Sequence, residues 1–355
     1  MEKNNKVLLG MSGGVDSSVS ALLLKNTGYD VVGVTLELFA GSSCCNTNTY
    51  MDAKNICNQI GIPHFIFNYQ KEFKENVIND FICSYANCQT PNPCIECNKY
   101  LKFGYMYEKA KELGCYYVAT GHYAKTEYSE KYGRWVLKKS NSLKKDQSYV
   151  LWNISKDLIE HIIFPLADYE DKEEIRQIAK DNNLKVANKP DSEDICFIPD
   201  GNYKKFLENN SDIKPKIGNI VNSKGEILGK HTGLYNYTIG QRKGLGISYK
   251  VPLFVIGFNK ERNEVIVGEE SELYKTHMKV NNINLLLFDK LDNEIEVDVK
   301  IRYSSKPAKA TIKQISDTEI EVEFKEPQRG ITPGQSAVFY IDDIVLGGGK
   351  IVKAL

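Results

Sequence analysis

The sequence predicts an α/β protein in three parts: an N-terminal domain on a parallel sheet, a small β-rich central domain and a C-terminal β-barrel-like domain. Short apolar runs alternate with helical stretches through the first half of the chain. Past about residue 203 that rhythm gives way to turn residues between short alternating runs. Length supports the division, since 355 residues suit two or three domains. Boundaries are expected at 1–203, 204–273 and 274–355.

Residues 7–9 form a first apolar strand that stops at Gly10. Residues 17–25 carry Val19, Leu22 and Leu23 at helical spacing. Residues 31–36 are rich in β-branched side chains and read as a strand. Residues 52–60 read as a helix ended by Gly61, and 64–67 as a third strand. Residues 71–88 and 98–113 read as helices, the second stopped by Gly114. Residues 116–119 form a strand that runs into Thr120-Gly121-His122. Strands alternating with helices imply a parallel sheet covered on both faces, with ligands beyond the carboxyl ends of its strands. The loop from Gly10 to Ser18 and the Gly121-His122 pair both fall at such ends. In the last part, 254–258, 265–267, 295–301, 310–315 and 320–324 alternate apolar with polar residues, which predicts an all-β tail.

Basic and acidic residues cancel, 46 against 46, which excludes a chain that is basic overall but not a local basic face. Residues 201–250 hold nine basic residues against three acidic ones, and Gly240-Gln-Arg-Lys-Gly244 is a basic turn suited to a nucleic-acid backbone. No apolar run approaches the ~18 residues of a membrane span, and no signal-peptide core follows Met1. All nine cysteines lie at or before Cys196. An odd number without a secretory signal argues against a disulfide-stapled exterior protein and for reduced thiols in the cytoplasm.

The first chemical motif is Gly10, Met11, Ser12, Gly13, Gly14, Val15, Asp16 and Ser17, placed between a strand and a helix. Glycines let backbone amides approach an anion, and a helix N-terminus adds partial positive charge. The loop lacks the Gly-Lys-Ser/Thr of a Walker A motif and does not fit G-x-G-x-x-G. The plain alternative is a glycine-rich turn with a helix cap. Ser-Gly-Gly-x-Asp-Ser resembles the PP-loop of ATP pyrophosphatases, enzymes that cut ATP to AMP and pyrophosphate. That resemblance implies that Ser12, Gly13, Gly14 and Ser17 hold pyrophosphate, and that Asp16 orders the loop or Mg²⁺.

The second motif is Cys94-Ile-Glu-Cys97, after Pro91-Asn92-Pro93, at the head of a helix. A thiol there is expected to have a lowered pKa. Zinc, iron–sulfur and redox sites all use such pairs, and no second C-x-x-C completes a four-cysteine site. Cys196, between Ile195 and Phe197, reads by itself as a core residue.

Seven blocks in order make the resemblance specific: the PP-loop, Thr90-Pro-Asn-Pro with Cys97-Asn-Lys99, Ala119-Thr-Gly-His-Tyr123, Lys145-Asp-Gln-Ser-Tyr149, Ile195-Cys-Phe-Ile198, Tyr237-Thr-Ile-Gly-Gln-Arg-Lys-Gly-Leu-Gly246 and Thr332-Pro-Gly-Gln-Ser-Ala-Val-Phe-Tyr340. Together they resemble the tRNA-specific 2-thiouridylases, the MnmA family, nearly end to end. The resemblance implies a PP-loop domain of the HUP, adenine nucleotide alpha hydrolase-like type. It implies that ATP adenylates the C2 oxygen of the wobble uridine in tRNAs for Lys, Glu and Gln, and that sulfur replaces it. A persulfide on Cys196 brings the sulfur, and Cys97 attacks or resolves. A cysteine desulfurase or a sulfur relay protein is the expected donor. Leu36 and Gly121 line the adenine site through backbone atoms. Asn92, Pro93, Cys94, His122, Lys145, Asp146, Gln147, Arg302, Tyr303 and Gln335 contact the target base or nearby tRNA.

One position departs from the family pattern: many members have Asp where this chain has Cys94. Cys94, Cys97 and Cys196 are therefore candidate ligands of an iron–sulfur cluster with one open iron. The competing reading is a cluster-free persulfide relay in which Cys94 only assists. Cys44 and Cys45 read as loop or packing residues, and Cys57, Cys83, Cys88 and Cys115 as buried filler. Two other functions stay open on the residues: another PP-loop ligase or amidotransferase, and a non-catalytic RNA- or metal-binding paralogue.

Overall fold

The computed structural model describes residues 2–39, 47–190 and 195–355; the Cys44-Cys45 pair lies outside them. In chain order the first half contains β1 (Lys6–Gly10), α1 (Val15–Asn26), β2 (Asp30–Glu37), α2 (Thr47–Ile60), β3 (His64–Asn68), α3 (Gln70–Phe73), a π-helical stretch Lys74–Ile78, α4 (Asn79–Ala86) and α5 (Pro93–Glu96). A second π-helical stretch, Cys97–Tyr105, follows, then α6 (Met106–Glu112), β4 (Tyr117–Ala119), β5 (Ala124–Ser129), β6 (Arg134–Lys139), a 3-10 turn Ser148–Leu151, β7 (Ile162–Ile163) and α7 (Lys172–Asp181). The second half contains α8 (Tyr203–Asn210), β8 (Gly218–Asn222), β9 (Ile227–His231), β10 (Phe254–Asn259), β11 (Glu264–Gly268), β12 (Tyr274–Leu285), β13 (Ile295–Lys300), β14 (Ala308–Ser316), β15 (Glu319–Arg329), β16 (Ser336–Ile341) and β17 (Ile344–Ala354).

The chain forms two compact units. The first comprises Met1–Ile78, Pro93–Gly201 and Asp343–Val345. Its sheet has the order β3-β2-β1-β4-β7, with every pairing parallel. Alternation along β1 sets the layers. Val7, Leu9 and Met11 share one core with Val19 of α1, Ile56 of α2 and Ile175 of α7, while the Met106 sulfur of α6 lies close to Gly10. Helices thus cover the sheet on both sides, as the alternation predicts. The β5–β6 hairpin stands outside this sheet, and Lys138 pairs with Ile344 of β17. Its lysine-rich strands carry little apolar alternation, so the sequence did not announce it.

The second unit comprises Asn79–Asn92, Asn202–Asp342 and Leu346–Leu355. Its stretch from Asn202 begins with helix α8, which corrects the all-β expectation for this part; Phe206 and Leu207 give that helix its buried face. A four-stranded sheet, β10-β11-β8-β9, holds a small core of Ile220, Val255, Val265 and Val267. Six strands in the order β12-β15-β14-β13-β16-β17 close into a barrel through the β12–β17 pairing. The segment 79–92 belongs to this unit: Tyr85 stacks on Tyr203 at 4.9 Å, Phe81 meets Phe206, and Asp80 pairs with Lys350 at 3.0 Å.

Barrel closure leaves no room for a side chain at Gly347. It sits at φ +154°, and a Cβ there would lie 2.3 Å from the Asn284 carbonyl oxygen. Gly347→Ala is expected to destabilise the protein by about 2–4 kcal/mol, read as a shift of the denaturant midpoint at unchanged slope.

Candidate active site

The loop between β1 and α1 is shaped by its own hydroxyls. The Ser12 backbone N–H donates to Ser17 Oγ at 3.2 Å, the Ser12 and Ser17 hydroxyls lie 3.2 Å apart, and Ser18 Oγ donates to the Gly14 carbonyl at 2.8 Å. Gly14 begins α1 without any side-chain cap. The first amides of that helix are therefore left for a ligand, the condition for phosphate binding. Gly13 is left-handed at φ +64°, and a Cβ there would come within 2.7 Å of the Thr49 carbonyl oxygen. Gly121, at the end of β4, sits against the same turn: a Cβ would lie 2.9 Å from Asp16 C and Ser17 N. Thr35 Oγ1 donates to the Met11 carbonyl at 2.8 Å, so His64 Nε2, at 2.9 Å from that hydroxyl, is the donor in their contact. Burial, aided by Lys54, lowers the His64 pKa and keeps the ring neutral.

Asp16 points into the protein. Its Oδ1 accepts from the Tyr123 hydroxyl at 2.9 Å and its Oδ2 from Lys172 Nζ at 2.8 Å. Lys172 is buried at the start of α7, where Asp171 and Glu174 form a reciprocal capping box that fixes the first turn. Lys189 Nζ donates to the Gly13 carbonyl at 2.9 Å and to Asp52 Oδ2 at 2.8 Å, tying α2 to the loop. The loop residues fit a nucleotide phosphate. Asp16 fits the loop-ordering role, with both carboxylate oxygens engaged. Among the described residues no group of three His, Cys, Asp or Glu side chains is placed to hold a metal ion.

The thiols occupy different environments. Pro93 opens α5, where its missing N–H is harmless. Cys94 follows, reachable by solvent but closely surrounded by protein, and Cys97 begins the π-helical stretch almost fully buried. Gly104 permits that wide turn, since a Cβ would lie 2.9 Å from the Lys99 carbonyl oxygen. Desolvation raises the Cys94 pKa, with Lys102 pulling it the other way. This corrects the expectation of a lowered value: surrounding protein outweighs the short helix end. Cys196 is half-buried, and its neighbour Phe197 packs edge-on against Phe73 at 5.6 Å. The π turn Lys74–Ile78 follows Phe73, and α5 packs on that turn. The two cysteine segments thus converge on one helical run. Among the described residues Cys94, Cys97 and Cys196 do not form a three-thiolate set, so as placed they do not fit an iron–sulfur cluster. Cys57 and Cys115 are buried as expected, but Cys83 is exposed and Cys88 half-buried.

His122 Nδ1 shares a hydrogen with Thr120 Oγ1 at 2.7 Å, and the ring lies between Phe103 and Phe164. Desolvation drops its pKa well below the ordinary value, which keeps the ring neutral. Asp146 accepts from Ser140 N, Ser148 N and Ser148 Oγ, so its carboxylate shapes the turn. Lys145 lies in that turn, its backbone N–H donating to Ser142. Gln147 Oε1 accepts from Tyr123 N at 3.0 Å. In the second unit, Arg302 Nη2 donates to the carbonyls of Ile239 and Gly330, each at 3.1 Å, while Tyr303 is exposed. Gln335 Nε2 donates to the Thr90 carbonyl at 2.7 Å, two residues before Asn92.

Family profiles match three successive stretches: a tRNA methyl transferase HUP domain over residues 5–200, a tRNA methyl transferase PRC-barrel domain over 204–269, and an aminomethyltransferase beta-barrel domain over 275–351. A tRNA-specific 2-thiouridylase MnmA from Clostridioides difficile (strain 630) is 48% identical over 362 residues, covering 100% of both chains. The chain belongs to the tRNA-specific 2-thiouridylase family. A second family member, from Clostridium beijerinckii, is 48% identical over 354 residues and 98% of each chain. Among solved structures, a U34-tRNA thiolase NcsA from Methanococcus maripaludis is 19% identical with a TM-score of 0.35, covering 59% of this chain and 69% of that one. A likeness that low carries no argument about the site.

Sequence reasoning missed Tyr123, Lys172, Lys189 and Asp52 as supports of the 2-thiouridylase loop. Tyr123 lay in a quoted block, but the lysines sit more than 150 residues from the loop they hold, with no local pattern to mark them.

Lys172→Met is expected to cost about 1–3 kcal/mol of stability, because Asp16 then keeps a partly buried charge without its counter-ion; urea unfolding measures it, and the KM for ATP rises alongside. Thiol alkylation followed by peptide mass spectrometry gives a second check. Burial pushes Cys57 up to about 12 and Cys115 up to about 11. At pH 8 the Cys57 thiolate fraction is then ~10⁻⁴. Exposed Cys83 reacts early, and Cys57 and Cys115 last.

Proposed function

We propose that this chain is an ATP-dependent tRNA sulfurtransferase that makes 2-thiouridine at the wobble position of tRNAs for Lys, Glu and Gln. The full-length match to a tRNA-specific 2-thiouridylase carries the reading, and a PP-loop whose helix has no side-chain cap supports it. A urea-like carbonyl is a poor electrophile, so activation precedes attack. The uridine O2 attacks the α-phosphorus of ATP and pyrophosphate leaves. The amides at the start of α1, with Ser12 and Ser17, hold the departing pyrophosphate. Mg²⁺ would come with the nucleotide phosphates and offset their charge.

Sulfur then enters through Cys196. The terminal sulfur of a Cys196 persulfide attacks C2 and AMP leaves. The Cys97 thiolate attacks Cys196 Sγ, which breaks the sulfur–sulfur bond to the base, leaves 2-thiouridine and forms a Cys97–Cys196 disulfide. An external thiol reductant returns both cysteines to thiols. A persulfide is largely ionised at neutral pH, which suits it to this attack. Cys94, with its raised pKa, assists as a neutral thiol beside the base rather than as a nucleophile. A cysteine desulfurase or relay protein loads Cys196, in the reducing cytoplasm. His122, held neutral, and the Lys145-Asp146-Gln147 turn face the flipped base. In the second unit, Asn92, Arg302, Tyr303, Gln335 and the 201–250 stretch engage the tRNA backbone.

The test is nucleoside mass spectrometry of tRNA incubated with the protein, ATP, Mg²⁺ and a sulfur donor. 2-Thiouridine derivatives are expected with the wild type and fall at least ~10³-fold in Cys196→Ala. Their absence with a competent donor would overturn the reading.

A further inference from the structure

We propose that Tyr123 is a positioning residue that couples occupancy of the ATP loop to the presentation of Cys97. This rests on the reading of that loop and thiol given above, and it concerns a link between them that neither role requires.

The link is a continuous set of hydrogen bonds within the first unit. Tyr123 is buried, and its hydroxyl donates to Asp16 Oδ1 at 2.9 Å. Its backbone is held twice by one residue: Gln147 N donates to the Tyr123 carbonyl at 2.8 Å, and Tyr123 N donates to Gln147 Oε1 at 3.0 Å. Gln147 leads into the 3-10 turn Ser148–Leu151, where Val150 N donates back to the Gln147 carbonyl at 3.1 Å. The carbonyl of Val150 then accepts from Asn98 Nδ2 at 2.9 Å. Asn98 is buried and directly follows Cys97. A movement of Asp16 when phosphate enters the loop therefore has a connected route to the first turn of the Cys97 helix.

The far end of that route can change state. Cys97–Tyr105 is π-helical and runs straight into the α-helix Met106–Glu112. A π turn holds one residue more per turn than an α turn, so passing that residue along the helix shifts the register by one residue, about 1.5 Å of rise. Among the described residues buried Asn98 Oδ1 has no hydrogen-bond partner, an unfavourable arrangement that a small shift of this turn can relieve. Phosphate in the loop thus sets which arrangement the Cys97 turn adopts.

The test needs no tRNA and no sulfur donor. The rate of Cys97 alkylation is followed by peptide mass spectrometry with and without adenosine 5′-(α,β-methylene)triphosphate, whose binding is measured separately by calorimetry. The wild type is expected to change its Cys97 rate by about fivefold or more on nucleotide binding. Tyr123→Phe, which keeps the ring but removes the hydroxyl, abolishes the change while nucleotide still binds. Asn98→Ala abolishes it from the other end. Tyr116→Phe, which removes a hydroxyl bonded to Glu160, retains it. A nucleotide-bound Tyr123→Phe protein that responds like the wild type would overturn the coupling, as would a wild type that binds nucleotide with no change at Cys97. If calorimetry shows no nucleotide binding to the wild type, the ATP reading of the loop falls first, and the coupling with it.

Discussion

The carboxylate of Asp16 is the fixed point around which the catalytic unit is arranged. It sits in the first turn of α1, where a negative charge is favoured by the helix dipole. Lys172 and Tyr123 each take one of its oxygens. Those two partners come from the start of α7 and from the residue before β5, and α1, α7 and Tyr123 share one core, so a single acid ties the segments of that face together at the loop. A partly buried ion pair contributes little net stability by itself, and its value lies in specifying one arrangement. Here the arrangement keeps the amides at the start of α1 clear of side chains.

Much of the first unit was legible in the sequence. Residues 7–9, 31–36 and 64–67 lie in strands of a parallel sheet, and Gly10 and Gly121 lie where strands end. Periodicity and punctuation by glycine suffice for β1 and β2, because a buried parallel strand is apolar throughout, while β3 is an edge strand with Phe65 and Ile66 exposed. The π-helical stretches were not legible: residues 74–78 and 97–105 keep helical spacing, and an extra residue per turn leaves no mark on an apolar pattern. Helix α8 was hidden for another reason. Only eight residues long, it stands among turn signals, and packing on Tyr85 and Phe81 rather than propensity holds it.

The site divides in the same way. Ser12, Gly13 and Ser17 stand in the loop between strand and helix where the motif placed them, because their positions depend on local geometry. Residues whose roles depend on tertiary partners were misread or missed. Cys94 sits at a helix head, a position that favours a thiolate, yet desolvation decides its acidity. Arg302, expected at the RNA, has one guanidinium nitrogen on the carbonyls of Ile239 and Gly330, so it also braces the fold. Composition cannot separate these cases, since a charge looks the same in sequence whether water or a carbonyl surrounds it.

Neither compact unit is contiguous in the chain, and both need residues from the stretch 343–355. The first recruits Ile344 beside Lys138, and the barrel of the second closes with the strand that ends at Ala354. During synthesis, then, the first unit emerges early but cannot reach its final form until residues 343–345 have been made. A chain cut short by a premature stop leaves the barrel open with an unpaired strand edge, the kind of surface that aggregates or draws proteolysis.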